Sequence, residues 1–310
     1  MHKVSGTLEV TPPFNLSLSA RFLENFTPTA GEQEIIDGTI TRALMIRGQV
    51  ILFNVRQPSA DDNGPVKYDL MSMMPLAKPV RQIASDTVSF FLSLQDDINP
   101  FYQIAQKDDR KFYEVIERFR GFHHVKFLTP LETAAWAILT QRIPMAAAKK
   151  MRQRLIETVG GSIEIDGKTF WAFPDYSRVK NISVKDLNEI TKNPRKAEFL
   201  HSLFKAWSSI DEAAMLKMDL EEAKVILKDI NGIGEWSATF TLSRGFGRME
   251  QLPGNLDMIM SEISRMYGPD VSIEKIDAIY GKWVGYWLLY VWMAHLDREK
   301  AARHSILNVI

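Results

Sequence analysis

The chain has 310 residues, enough for two or three domains at roughly 100 to 200 residues each. Its 45% apolar and 25% charged residues exclude a mostly disordered polypeptide, and 38 basic against 38 acidic residues exclude a uniformly basic coat while leaving room for a local basic face. The absence of cysteine removes disulfides, thiol nucleophiles and Cys-ligated metals, and without a secretory-type apolar stretch in MHKVSGTLEV or a membrane-length apolar run the expectation is a soluble intracellular protein with no membrane partner.

From Met1 to about Ile98 the pattern is mostly that of strands. Val4 to Val10, Glu34 to Ile40, Arg42 to Ile46 and Gln49 to Gln57 are β-favouring stretches, with Gly38 and Gly48 placed for tight reversals. Ser17 to Phe26 reads instead as a helix, because Leu18, Phe22 and Phe26 recur every fourth residue. Ser59 to Pro65 is a turn-rich loop, and Val88 to Leu94 reads as another strand. Beyond Asp96 the pattern turns helical, over Phe101 to Gln106, Asp109 to Phe119, Pro130 to Gln141, Ala146 to Val159, Val184 to Thr191, Lys196 to Ser208, Ile210 to Met215 and Glu221 to Lys228. Thr129, Pro130 and Glu132 give the third of these a cap, a first residue and an acidic first turn. Trp283 to Ala294 reads as a core helix.

Between Gln141 and Gly160, Arg142, Lys149, Lys150, Arg152 and Arg154 face a single acid, Glu157. Such a cluster suits phosphates, although on its own it is more often a solvated helix face, since basic helix surfaces are common. More specific is Leu227 to Ala238, in which Gly232 and Gly234 flank Ile233 between two helical patterns. Two small residues let the backbone turn sharply and present N–H groups, and the helix that follows adds its positive end, so the segment suits a DNA phosphate.

The pattern Leu-x-x-Ile-x-Gly-Ile-Gly-x-Trp-Ser-Ala resembles the helix-hairpin-helix of base-excision DNA glycosylases, most of all the DNA-3-methyladenine glycosylase II type. The resemblance runs along nearly the whole chain. Phe14 to Phe26 and the Asp37 to Val55 strands look like the N-terminal domain of that family, and Pro100 to Leu139 with Arg195 to Leu200 look like its helical core. It implies an α+β fold in which an N-terminal antiparallel-sheet domain (1–98) precedes two helical subdomains. A connector (99–111) is expected to pack with the C-terminal subdomain (231–310), which carries the hairpin and catalytic helix, beside a middle subdomain (112–230).

By the same resemblance, Gly232, Ile233, Gly234, Trp236 and Ser237 form the phosphate-binding hairpin, and Asp257 is the catalytic carboxylate that stabilises the sugar cation as a damaged base departs. Asp257 lies four residues past Pro253, one or two further than is common in the family, with Asn255 and Leu256 at the earlier positions; Asp257-Met-Ile-Met continues into an amphipathic helix. Bifunctional relatives carry a Schiff-base lysine where this chain has Trp236, which has no amine, so the resemblance implies a monofunctional enzyme that leaves an abasic site. Gln141 matches the motif of the DNA wedge, with Arg142 in the wedge position and Ile143 as apolar support. Trp283, Tyr286 and Trp292 match the spacing of the late pocket helix, so Trp283 and Tyr286 are expected at the base pocket, with Val284 and Gly285 replacing the family's arginine and small polar residue. Trp136 faces either that pocket or the core, and Phe122, His123 and His124 line an access loop or the core.

Gln141, Lys149, Lys150 and Arg244 are further expected DNA contacts. The six histidines form no metal-ligand motif, so no metal or cofactor is required; similar glycosylases bind a monovalent cation on the hairpin carbonyls. The implied partner is double-stranded DNA holding a damaged base, met by a monomer in the cytoplasm or nucleoid, or in a eukaryotic nucleus. A noncatalytic lesion-binding protein would keep the hairpin and tolerate loss of Asp257. A glycosylase for oxidised or deaminated bases would differ only in its pocket.

Overall fold

The computed structural model describes residues 1–58 and 64–307, with the side chains of 301–307 left out of the description. Part of the loop expected at Ser59 to Pro65 therefore lies outside the described residues. Five strands, β1 (His2–Leu8), β2 (Gln33–Ile36), β3 (Thr39–Ile46), β4 (Gln49–Arg56) and β5 (Val66–Ser72), form an antiparallel sheet of order β1-β5-β4-β3-β2. Helix α1 (Leu16–Glu24) lies between β1 and β2 in the chain, and α2 (Lys78–Phe91) follows β5. The stretch expected as a strand at Val88 to Leu94 is instead the end of α2 and the turn after it. Ala84, Val88 and Phe91 recur with helical spacing and are buried on one face, and Pro79 sits in the first turn.

Helices α3 (Asn99–Asp108) and α4 (Arg110–Arg118) come next, followed by α5 (Pro130–Thr140) and α6 (Met145–Val159). Thr129 caps α5 by accepting from the Glu132 N–H at 3.1 Å, with Pro130 at the first position. A hairpin of β6 (Gly161–Ile165) and β7 (Lys168–Ala172), not anticipated from the sequence, packs Ile163, Phe170 and Ala172 against Ala43, Met45 and Leu52. It covers the second face of β3 and β4. Strand β3 is therefore buried along most of its length where a one-sided strand alternates.

The remaining helices are α7 (Tyr176–Val179), α8 (Val184–Thr191), α9 (Pro194–Ala206), α10 (Glu212–Met215), α11 (Leu220–Lys228), α12 (Glu235–Thr241), α13 (Asp257–Tyr267), α14 (Ile273–Tyr280) and α15 (Val284–Leu307). A π-helical turn, Leu242–Phe246, extends α12. Among the described residues, no helix is long and apolar enough to cross a membrane.

Two main cores result. One joins the inner face of the sheet to α3, α4, α13, α14 and α15, through residues such as Phe53, Phe101, Phe112, Ile259 and Trp287. The other gathers the helices from α5 to the π turn around Leu139, Leu155, Leu200, Leu227 and Leu242. These cores divide the chain elsewhere than at 111/112 and 230/231: Phe112 and Ile116 pack with the C-terminal helices, while Ala238, Leu242 and Phe246, just past the hairpin, pack in the middle core. A buried quartet ties the sheet to the helices. Arg42 of β3 and Arg152 of α6 both hydrogen-bond Glu32, before β2, and Glu132 of α5.

Candidate active site

Helices α11 and α12 are joined by the expected hairpin. Gly232 has φ +98°, and a Cβ there would lie 2.4 Å from Cγ of Phe199, so only glycine fits both the backbone and the packing. Gly234 differs: a Cβ would meet nothing within 4 Å. Its openness leaves the start of α12 accessible, and among the described residues no side chain caps that end, so N–H groups of the first turn are open to an anion. Ile230 and Ile233 are buried beneath the turn. Glu235, the first residue of α12, is held by Lys228 at 2.7 Å and Lys224 at 3.2 Å, and hydrogen bonds to these two lysines keep its carboxyl below the ordinary range. Carbonyls of Ile230 and Gly232 already accept from the Ile233 N–H and from Gln141, and no cluster of acidic or histidine side chains among the described residues fits a metal. The turn thus presents N–H donors at the start of α12.

The turn after α5 is fastened to this hairpin. Nε2 of Gln141 donates to the Gly232 carbonyl at 2.7 Å and to Oγ of buried Ser237 at 2.9 Å. Lys196 Nζ donates to the Ile138 and Gln141 carbonyls at 2.5 and 2.8 Å, occupying the acceptors at the end of α5. Burial, and then the nearby cations Arg195 and Arg142, push the Lys196 ammonium down to about 8. On this braced turn Arg142 takes φ +54° and is exposed, while Ile143 is half-buried against both the middle core and the cluster of Phe127, Trp136 and Ala148.

Asp257 begins α13 with its carboxylate exposed. Asn255 holds it from both sides: Asn255 Oδ1 accepts from the Asp257 N–H at 2.7 Å, and Nδ2 donates to Asp257 Oδ2 at 2.9 Å. The position where the family more often has its acid thus carries the residue that orients Asp257. Behind it, Ile259 and Ile263 anchor α13 in the core that also holds Trp287. The loop into Asp257 is tied to α15 where the Gly285 N–H donates to the Met249 carbonyl at 2.9 Å. A Cβ on Gly285 would lie 2.7 Å from that oxygen, which explains why glycine stands there.

Trp283, half-buried just before α15, is tilted against Tyr286 at 5.6 Å and stacks on Phe101 at 6.5 Å. Tyr286 is only 3% exposed, and its hydroxyl donates to Asp96 at 2.5 Å, so it supports Trp283 instead of forming open surface. Trp136 is 2% exposed, with Arg152 over its ring; the structure puts it in the supporting core and not on an open wall. His123 is likewise interior, bridging the Ser93 and Pro13 carbonyls at 2.7 and 2.8 Å, and Phe122 and His124 are buried with it.

Sequence reasoning missed an aromatic stripe on the other side. Trp236 is 49% exposed and stacks on Phe240 at 5.1 Å; Phe240 stands edge-on to Phe127, which meets Phe26 just past α1. One turn beyond Phe240, the guanidinium of Arg244 lies over Phe26 and Phe22 at 4.8 and 5.1 Å. The four-residue spacing of Trp236, Phe240 and Arg244 was the available signal. The basic cluster on α6 is also smaller than its sequence suggests, because Arg152 is buried in the ion quartet and Arg154 donates to the Ile190 and Thr191 carbonyls. Arg142, Lys149 and Lys150 remain at the surface.

Sheet, helical layers and glycine hairpin define an α+β fold that carries a helix-hairpin-helix. No family model matches the chain. It is 26% identical, over 94% of its length and 98% of the relative's, to a DNA-3-methyladenine glycosylase of Bacillus subtilis (strain 168). In fold it is similar to the 3-methyladenine DNA glycosylase of Archaeoglobus fulgidus, with a TM-score of 0.69 and 22% identity across 94% of this chain and 97% of that one. A similar likeness, TM-score 0.64 at 16% identity over 94% and 97% of the two chains, holds for the apo form of the Clostridium acetobutylicum 8-oxoguanine glycosylase/lyase. Over nearly its whole length the chain is thus similar to DNA glycosylases of the helix-hairpin-helix fold.

Proposed function

We propose that the protein is a monofunctional DNA glycosylase that hydrolyses the N-glycosidic bond of alkylated bases in double-stranded DNA and leaves an abasic site, working as a monomer. The observation that carries this reading is the Asn255-clamped carboxylate of Asp257, on a loop tethered to the segment that bears Trp283. As the base leaves, the sugar gains oxocarbenium character. A fixed carboxylate stabilises that charge more than it stabilises the neutral sugar, and it can orient the water that completes hydrolysis. Asn255 holds one carboxylate oxygen and the backbone N–H, so little reorientation accompanies bond breaking.

The remaining residues supply binding and extrusion. Free N–H groups at the hairpin receive a phosphate, Lys149 and Lys150 add attraction, and Arg142 fills the place of the extruded base on a turn braced by Gln141 and Lys196. Aromatic faces of Trp236, Phe240 and Trp283 suit an electron-poor alkylated ring. The name of the Bacillus subtilis relative supports alkylated substrates.

The test is single-turnover base release from a methylated duplex. Asp257→Asn is expected to keep DNA affinity and lose about 100-fold or more in rate, the order found when one transition-state electrostatic contact is removed. Borohydride is expected to trap no protein–DNA adduct, because Trp236 has no amine. Wild-type rates in Asp257→Asn refute the catalytic assignment, and a trapped adduct refutes the monofunctional one.

A further inference from the structure

Two adjacent polar side chains at the inner end of the Trp236–Phe240 stripe have buried nitrogens without partners among the described residues. Nη2 of Arg244 is buried and makes no hydrogen bond; with no acidic partner offsetting burial, the guanidinium is pushed down to about 9. Both ring nitrogens of His124 are buried and unpartnered as well. His124 stands edge-on to Tyr286 at 6.4 Å, and burial, then the positive charges of Arg244 and Lys126, hold its imidazole neutral. The neighbours are already committed: Lys126 Nζ donates to the Phe90 carbonyl and to Ser93 Oγ, and the Tyr286 hydroxyl donates to Asp96. Interior polar groups are nearly always paired, and an unpaired cation is the costliest exception.

The backbone at this point is unusual too. Arg244 sits in the π-helical turn, a distortion frequent at functional sites. The turn is pinned where the Phe127 N–H donates to the Arg244 carbonyl at 3.0 Å, and Gly245 packs so closely that a Cβ would lie 2.8 Å from Thr133 Oγ1. Arg244 is thereby held one turn inward of Phe240, with its cation over Phe22 and Phe26 where an acidic partner would be expected.

We propose that Arg244, with His124 behind it, reads the extruded base by a carbonyl group, so that the pocket favours keto-bearing damaged bases, such as alkylated guanine or deaminated adenine, over amino-bearing alkylated adenine. The proposal rests on the glycosylase reading above. Arginine has donors only, so it pairs with a ring carbonyl and cannot accept from an exocyclic amino group. Neutral histidine has one donor and one acceptor nitrogen, and the acceptor complements the ring N–H that neighbours a keto group in such purines. An amino-bearing base instead sets its exocyclic N–H against the guanidinium N–H at the place where a keto base offers an acceptor. Sites built from buried donors discriminate strongly against ligands lacking the matching acceptor.

The experiment is single-turnover release of 7-methylguanine, hypoxanthine and 3-methyladenine from matched duplexes, with binding to an abasic-analogue duplex measured alongside. Wild type is expected to release the keto-bearing bases faster, by about tenfold or more relative to their own spontaneous rates. Arg244→Met is expected to lose about 10- to 100-fold on keto-bearing bases and little on 3-methyladenine, with affinity and salt dependence on the abasic duplex unchanged. Arg244→Gln, which supplies an amide carbonyl and keeps the polar volume, is expected to fold if Arg244→Met does not, and to shift preference toward the amino-bearing base. His124→Phe is expected to weaken the keto preference in the same direction. Equal losses on all three bases, a wild-type preference for 3-methyladenine, or weakened abasic-duplex binding with a smaller salt slope, the mark of a phosphate contact, overturns the proposal. If wild type releases no damaged base at all, the glycosylase reading itself fails, a result distinct from a wrong preference.

Discussion

Replacing Glu132 by Gln tests how the sheet is fastened to the helices. Glu132 is 1% exposed and accepts from Arg42 Nη2 at 2.9 Å and Arg152 Nη2 at 2.5 Å; Glu32 receives the other bonds of both arginines. The quartet is charge-balanced, two against two. Glu132→Gln preserves shape and one acceptor but leaves two buried guanidinium groups facing one carboxylate, a state that costs about 3–5 kcal/mol when a buried partner is removed. For a chain of this size that corresponds to a fall of about 6–10 °C in Tm. Denaturant and thermal unfolding of the variant measure it. The exposed pair Arg120–Glu117 is the control, because its removal is expected to change stability by no more than about 0.5 kcal/mol. Pairing Glu132→Gln with Arg42→Met restores charge balance and is expected to recover part of the loss. A loss below about 1 kcal/mol for Glu132→Gln refutes the account. The same network predicts acid sensitivity. Burial raises the Glu32 carboxyl, but contacts with Arg152 and Arg42 outweigh it and hold the group below its ordinary 4.5. Stability from Glu32 is therefore fully present above pH 4.5 and is lost as pH falls through the lower folded value.

Two further outcomes follow from the DNA-facing side and the loop tether. Arg142→Ala is expected to reduce base extrusion, read by a fluorescent base analogue opposite the lesion, with little change in salt dependence, whereas Lys150→Ala is expected to lower the salt slope by roughly one unit if it meets a phosphate; identical behaviour of the two argues for a generic basic surface. Gly285→Ala forces Met249 and the loop before Asp257 to shift, because the new Cβ meets a backbone oxygen at 2.7 Å. Its rate of base release is expected to fall about tenfold or more while abasic-duplex binding changes little, and an unchanged rate refutes the tether's role in placing Asp257.

Much of the local structure was legible in the sequence because its signals act over a few residues. Thr129, Pro130 and Glu132 start α5 as read, and Gly232 is fixed by a backbone conformation and a packing contact that exclude a side chain. The spacing into Asp257 marked the start of α13, and the structure adds the Asn255 clamp on that register. The absent lysine at Trp236 is a property of composition and needs no coordinates.

Partners distant in the chain were decided only by the tertiary structure. Nothing local distinguishes Arg152, committed to Glu32 across 120 positions and to Glu132, from Lys150, which is exposed on the same helix. Val88 to Leu94 looked like a strand because its short apolar run fits either period, and burial of Ala84, Val88 and Phe91 on one face resolved it as helix. Strand β5 and the β6–β7 hairpin exist through pairing and through burial against residues of the sheet, which a short stretch of sequence does not encode. The same holds for the stripe from Trp236 to Arg244 and for His124. Whether an aromatic, a guanidinium or an imidazole lines a pocket or fills a core depends on which distant groups already satisfy it, and that is a property of the folded chain.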